Sequence, residues 1–590
     1  MAERERYRFG DMALDVAERR LSRGGRSVPL APKVHDLLVH LVRNAGRLVT
    51  KGELLEHVWA GSFVEEGILS VHVSGLRRAL GDDRRSRRYI ETVSRSGYRF
   101  IAPVIDDHRA TDGCSIAVLP AWPAGPGTSD AERSVGLALA DALIGRLGRL
   151  TQISVRPTRA VHAYADLQQD PAAVGRSLRV DAVLVCRFEK TPERIRVAAE
   201  LLRSSDGVRL WSGAHDEVPG VGTSLPDAMA EAIAAHLDAE PPGGRSAGVF
   251  GSWADVRRGV SRPPCRLEVY ELIGRGRAHL LALSRAETPK AVAAYEAAIE
   301  LDSAFAPAHA GLALAFCQQA ELRLVPQAEA YARARDAALR ALAVDDSCAD
   351  AQVALAAVSF LGQWDWVGAE RALERALGIN PNHTEAYVLY GRLLEALGRL
   401  QEGLEMKMRA LERDPLSPFV HQAISMSYWH QRRYEDSIRW ANKTLELDAG
   451  HLVAREHLAG AYWALGDFDR HMAENIKHAE SFGVAAEALE PVKRVYASGG
   501  RTGLVRWLLE TQGKNLPAMQ QALFHGELGD LDVAMQHLER AIDSRDPCLV
   551  NLAVAPQWDR LRASPRFQTC LARMGLSVRD PVSAPGQNRE

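Results

Sequence analysis

Residues 66–80, EGILSVHVSGLRRAL, pair a strict apolar stripe with a small, polar, arginine-bearing face. Leu69, Val73, Leu76 and Leu80 recur at i, i+4, i+7 and i+11, the spacing at which one helix buries all four. At about 100° per residue, Ser74, Arg78 and Val71 fall opposite that stripe, Ser70 and Arg77 on one flank and Gly75 on the other. Small side chains let such a helix lie flush in a major groove about 12 Å wide, while guanidinium groups offer donors to base edges and phosphates. Tyr89-Ile90-Glu91-Thr92-Val93 and Tyr98-Arg99-Phe100-Ile101 then read as two strands, with Ser94-Arg95-Ser96-Gly97 supplying the turn. A hairpin directly after a groove-reading helix is a wing, and its tip, Arg95 with Ser96, is placed for a minor groove or a phosphate. The basic run Arg84-Arg85-Ser86-Arg87-Arg88 lies between them.

Two more helices must hold this surface. Pro32 suits a first helical position, Leu37, Leu38 and Leu41 share one apolar face, and Gly46 marks a stop. Thr50-Lys51-Gly52-Glu53 reads as a capping box before Leu54, Leu55 and Val58, with Trp59 in the core. Residues 1–105 carry 19 Lys and Arg against 13 Asp and Glu, a net +6, although the whole 590-residue chain sums to −2. A basic head on a near-neutral body fits a nucleic-acid reader attached to a second module.

The string GRLVTKGELLEHVWAG…LSVHVSGLRRALGDD…YIETVSRSGYRFIAPV resembles the OmpR/PhoB-type winged-helix output domain, particularly its CadC-like branch, over residues 5–104. The resemblance implies an N-terminal β-sheet, a helix-turn-helix and a C-terminal hairpin wing. It puts DNA-contacting positions on Ser70, Val71, His72, Ser74, Gly75 and Arg77 and near Arg95. His72 lies beside the core stripe, so packing, a phosphate contact or a base contact all remain open for it. In parts of that family arginines stand at the places of Ser74 and Gly75, a departure that points to a weaker or different operator. The loop Ala60–Glu66 matches a stretch that touches RNA polymerase in some relatives, and also reads as a plain connector. Two-component relatives carry a receiver domain ahead of this head; no receiver fits here, so the switch is expected downstream.

Beyond a polar linker at 106–112, strands are expected at 115–120, 153–155, 182–188, 194–202 and 209–212, with helices at 130–147 and 171–178. This alternation argues a small α/β layer over 113–240, and its sequence resembles a TolB-amino-terminal-like domain. No catalytic set accompanies it. Gly125-Pro126-Gly127-Thr128 lacks the ending of a phosphate-cradling loop, Gly274-Arg275-Gly276 lacks the third glycine of a dinucleotide site, and neither HExxH nor GxSxG occurs. The seven cysteines are scattered without metal spacing, the N-terminus is charged, and no run of about 18 apolar residues occurs. No enzyme, cofactor, metal site or membrane association is therefore expected, and the location is expected to be cytoplasmic.

After a second linker at 241–261, self-similarity dominates. Ala298, Ala341, Ala376, Ala410 and Thr444 occupy one repeat position, the last three at steps of 34 residues, with Pro381 and Pro415 at corresponding turns. Paired helices of this period resemble tetratricopeptide repeats, five or six of them between 262 and 480, followed by a degenerate unit over 481–578 and a polar tail at 579–590. Such stacks form a groove that takes a protein, peptide or small ligand, or serves as scaffold. Trp364, Trp366, Trp429 and Trp440 would anchor a partner if exposed. The sequence thus predicts three parts: an α+β winged helix-turn-helix head, a small α/β middle domain and an all-α tetratricopeptide-repeat solenoid. The function that follows is a sequence-specific, one-component transcription regulator of promoter DNA, with a homodimer, RNA polymerase and a groove-bound partner as further expectations. The rival readings are a repeat scaffold with a vestigial head and part of a nucleotide cyclase.

Overall fold

The computed structural model describes residues 6–577, except 10–11, 17–18, 24–25, 60–65, 83–87, 94–95, 103–104, 107–113, 126–128, 152, 166–169, 192–193, 218–223, 240–266 and 482. Arg95, most of the polymerase-like loop, the arginine run up to Arg87, most of each linker and the tail lie outside the described residues. The chain divides into two compact units, Met1–Gly113 and Cys114–Glu590.

In the first unit β1 (Arg6–Phe9), β2 (Met12–Asp15), β3 (Arg20–Arg23) and β4 (Arg26–Val28) form an antiparallel meander. Helix α1 (Pro32–Arg43) starts on its proline and buries Leu37, Leu38 and Leu41 completely. After β5 (Leu48–Thr50), α2 (Lys51–Val58) begins where Thr50 Oγ1 accepts from the Glu53 backbone N–H at 3.2 Å. The expected capping box is only half made: the Glu53 carboxylate turns to the Arg47 guanidinium instead, which holds it below the usual carboxylate range. A charge-assisted pair is stronger than a neutral backbone donor. Helix α3 (Glu66–Leu80) follows, then the hairpin β6 (Ile90–Val93) and β7 (Gly97–Phe100), and β8 (Ile105–Asp106) returns to pair with β1. Strand β7 also pairs with β5, so closely at Gly97 that a Cβ there would overlap the Val49 carbonyl oxygen. Phe9 meets Phe100 and Tyr89 edge-on at 5.0 and 5.8 Å, joining meander to hairpin in one core.

The second unit opens with β9 (Ser115–Val118), β10 (Trp122–Pro123), α4 (Asp130–Leu147), β11 (Ser154–Val155), α5 (Thr158–Val161) and α6 (Pro171–Ser177). Then come β12 (Ala182–Lys190), β13 (Ile195–Arg203), β14 (Arg209–Glu217) and α7 (Leu225–Ala239). The sheet is mixed: β11, β9 and β12 run parallel, whereas β12, β13 and β14 form an antiparallel meander. Ser129 and Glu132 complete a true capping box at the start of α4.

Helix pairs succeed one another from α8 (Leu267–Leu281) with α9 (Thr288–Leu301) and α10 (Ala306–Glu321) with α11 (Gln327–Val344). They continue through α12 (Ala349–Ala357) with α13 (Trp366–Ile379), α14 (Thr384–Ala396) with α15 (Leu400–Arg413), α16 (Pro418–His430) with α17 (Tyr434–Leu447), and α18 (Leu452–Ala464) with α19 (Phe468–Ser481). Ala298, Ala341, Ala376, Ala410 and Thr444 are all fully buried, as a small residue where second helices touch their neighbours must be. Helix α20 (Ala486–Gln512), bent at Gly500, leads to α21 (Ala518–Leu528), α22 (Leu531–Asp543) and α23 (Pro565–Arg573).

The repeats are continuous with the α/β layer. A Cβ on Gly274 of α8 would overlap the Ser134 carbonyl oxygen of α4, and Arg277 reaches Asp141 at 3.1 Å. The Asn382 amide donates to the carbonyls of Gly148, Leu150 and Ile153 at 3.0–3.2 Å. The segment after α22 packs back on the repeats: Trp366 Nε1 donates to the Met574 carbonyl at 2.7 Å, and Arg432 holds the Val554 carbonyl at 2.7 Å and Asp559 at 2.6 Å. Trp366 is buried, and Trp364, Trp429 and Trp440 are half-buried, so none of the four stands out as an exposed anchor. Among the described residues no helix is long and apolar enough to cross a membrane.

Candidate nucleic-acid interface

The stripe of α3 is sealed: Leu69, Val73, Leu76 and Leu80 are at most 1 % exposed. Its far side is open. Ser70, Ser74, Gly75 and Arg78 are exposed, and Val71, at 68 %, is a large apolar side chain held out in solvent. Nothing approaches within 4 Å of the space beside Gly75 or Gly67, which leaves a shallow strip along the helix. A branched methyl pair beside two hydroxyls suits a groove in which thymine methyls alternate with hydrogen-bonding base edges.

The two arginines have different surroundings. Arg77 turns inward to the hairpin: its Nη2 donates to the Ile90 carbonyl at 2.9 Å and to Thr92 Oγ1 at 2.8 Å. Arg78 is exposed and makes no hydrogen bond or ion pair among the described residues, so its five donors face solvent. His72 packs edge-on against Trp59 at 5.0 Å, and its Nδ1 donates to the Ile68 carbonyl at 2.8 Å, leaving Nε2 as the remaining ring nitrogen. This geometry favours the packing role among those left open for it.

Asp82, which the motif analysis passed over, is the second tie between helix and wing. Its carboxylate accepts from the backbone N–H groups of Arg88 at 2.6 Å and Ile90 at 3.0 Å. Arg99 pairs with Glu91 across the hairpin at 3.0 Å. The wing is therefore fixed to the C-terminal end of α3 from two sides. At the wing's turn Ser96 is exposed and its backbone N–H returns to the Val93 carbonyl at 3.1 Å, while Arg95 lies outside the described residues. The structure brings Ser70, Val71, Ser74 and Arg78 together on one face, with Arg77 and His72 behind it. The only hint of Asp82's role in sequence was its place immediately after the helix.

Residues 25–100 match the family model described as transcriptional regulatory protein, C terminal, and residues 360–426 match one described as tetratricopeptide repeat. The head is 35 % identical over 99 residues to the transcriptional activator CadC of Escherichia coli and 38 % identical over 101 residues to the transcriptional regulator HilA of Salmonella typhi. Each match covers 17 % of this chain, and 19 % and 18 % of those relatives, so it spans under a fifth of their length. Among solved structures, the DNA-binding domain of E. coli CadC is 33 % identical, with 99 % of that chain and 18 % of this one covered and a TM-score of 0.17. The first unit of this chain is accordingly an OmpR/PhoB-type winged-helix DNA-binding domain, and it is carried with a mixed-sheet layer and a long body of tetratricopeptide-type helical repeats.

Proposed function

We propose that the chain is a sequence-specific, one-component transcription regulator, acting in the cytoplasm, that places α3 in the major groove of promoter DNA and takes its signal through the repeat body. The observation that carries the DNA half is the open face of α3: hydroxyls, one exposed valine and an unpaired guanidinium, beside a hairpin clamped to the same helix. Ser70, Val71 and Ser74 read bases, Arg78 binds phosphate or base, and Arg95 with Ser96 reaches the adjacent groove from the wing. Arg77 and His72 shape that surface from behind. Segment 60–66 is the proposed polymerase contact, and heads on adjacent half-sites pair as dimers.

The signal half draws support from the body's build. A repeat array continuous with an α/β layer forms one core, in which a bound protein or small molecule shifts packing over a long distance. The test is salt-dependent binding of the full chain to a promoter duplex from its own genome. Affinity is expected to fall steeply as salt rises, and a flat salt response removes the phosphate-binding role.

A further inference from the structure

A cleft of ≈ 420 Å³, half open to solvent, sits in the body between α16, α18, α21 and the segment that follows α22. That volume is in the range of small-molecule sites, about 300–1,000 Å³. Five residues that line it carry a buried nitrogen or oxygen with no hydrogen-bond partner among the described residues: Trp429 Nε1, His430 Nε2, His457 Nδ1, Asn551 Oδ1 and Gln557 Oε1. Buried polar atoms are nearly always paired, and each one left alone destabilises the fold. Five around one cleft call for an occupant.

The neighbours assign each role. Glu395, fully buried, is salt-bridged to Lys407 at 2.8 Å and accepts from His430 Nδ1 at 3.0 Å, so the other ring nitrogen of His430 presents a lone pair. The Gln422 amide nitrogen donates to His457 Nε2 at 3.2 Å, which leaves the proton on Nδ1. The set is thus two N–H donors, from Trp429 and His457, and three acceptors, from His430, Asn551 and Gln557. Within the wall Arg501 grips Glu527 at 2.8 and 3.0 Å, so this pair offers a ligand no free charge. The five unpartnered atoms are all neutral and so suit an uncharged ligand; the exposed Arg560, on the Glu527 carbonyl at 2.7 Å, is the cation at the rim. Flat apolar faces come from Trp463, Trp558 and Phe524.

The geometry points to a binding site for an uncharged, hydroxyl-bearing ring molecule of the monosaccharide class, held by these five atoms against the indole walls. A hydroxyl both donates and accepts, so one such ring meets both kinds of wall atom, and its C–H faces lie on the aromatic surfaces. Trp429 and His430 come from α16, His457 from α18, and Asn551 and Gln557 from the segment after α22; binding therefore ties that segment to the repeats. The site goes beyond the DNA-binding reading and does not depend on it.

The test uses the full chain without DNA, titrated with D-glucose, D-galactose, D-xylose and myo-inositol, followed by tryptophan emission and by thermal melting. A saturable emission change and a raised melting midpoint are expected for at least one of them. Two variants separate binding from folding. In Gly460→Ala the added methyl stands 3.5 Å from Trp429 Nε1, an ordinary contact that covers the donor without disturbing α18. Asn551→Leu replaces an unpartnered acceptor with an apolar group of similar shape, so the unliganded protein is expected to melt no lower than the parent. Each variant is expected to weaken sugar binding by about tenfold or more. Absence of response to all four probes, or a sugar response that survives both variants, overturns the assignment.

Discussion

Adjacent arginines on α3 have unlike energetic roles. Arg77 spends its Nη2 on Ile90 and Thr92 in a partly buried setting, where a charge-assisted hydrogen bond contributes about 1.5–3 kcal/mol. Arg77→Ala is expected to lower the stability of the head by about that amount and to weaken DNA binding through a loosened wing; denaturant melts of the head read the first effect and gel shifts the second. Arg78→Ala is expected to leave stability within about 0.5 kcal/mol and to reduce the salt slope of binding by about one. Equal destabilisation by both changes defeats this division of roles. In the body, Asp414 offers a residue-scale test of pH response. Burial pushes its carboxyl up to about 6, against the pull of Arg156 and Arg159 and a hydrogen bond from Ser417, and with Glu385 pushing the same way. An acid raised this way is most favourable to the fold when protonated, so its contribution is full below about 3.8 and is lost as pH climbs through about 6. Asp414→Asn keeps the group neutral. Its stability relative to the parent is expected to rise between pH 4 and pH 7, by at most about 3 kcal/mol, in urea melts at each pH; a pH-independent difference contradicts the raised value.

Elements whose one face meets a core were readable in advance, because the buried side writes itself into the period of the sequence. The stripe of α3, the proline start of α1 and the small-residue position shared by Ala376 and Ala410 all belong to this class. What joins elements was not readable. The tie from Arg77 to Thr92 and the cap of Asp82 on Ile90 depend on where the hairpin lands, which no local spacing reports. Helix α7 escaped notice because alanine dominates its sequence, although Met229, Ile233 and Leu237 are buried along it. The five atoms around the cleft come from helices and a segment remote in sequence. The join of α4 to α8 is of the same kind, and it fixes an element-scale prediction. Gly274 admits no Cβ because the Ser134 carbonyl oxygen occupies that place, and backbone cannot yield as a side-chain tip does. Gly274→Ala, favourable in an isolated helix, is expected to destabilise the body by about 1–3 kcal/mol through overpacking. Calorimetry should show the body's transition shifted down and the head's unchanged; a rise would mean that α8 does not seat on α4.

For the whole molecule the decisive fact is the division into two compact units, with a complete hydrophobic core in the first. Leu37, Leu38, Leu41, Leu69, Leu76, Ile90 and Phe100 all close to 0 % exposure within that core, so the head needs nothing from the rest of the chain to bury its apolar faces. Residues 1–113 alone are therefore expected to fold and to bind a single operator half-site. All the proposed phosphate contacts lie on this piece, and the slope of binding against salt counts such contacts. The truncated head and the full chain should accordingly share one slope on a half-site, even where their affinities differ. On a duplex with two half-sites the two proteins should part. If the body pairs heads, it converts the second binding event into an intramolecular one, and the full chain gains affinity that the truncated head lacks. Titrations of both proteins on one-site and two-site duplexes at several salt concentrations separate these effects. A steeper slope for the full chain on a single half-site would place further cationic contacts in the second unit, and the head would then no longer account for DNA recognition by itself.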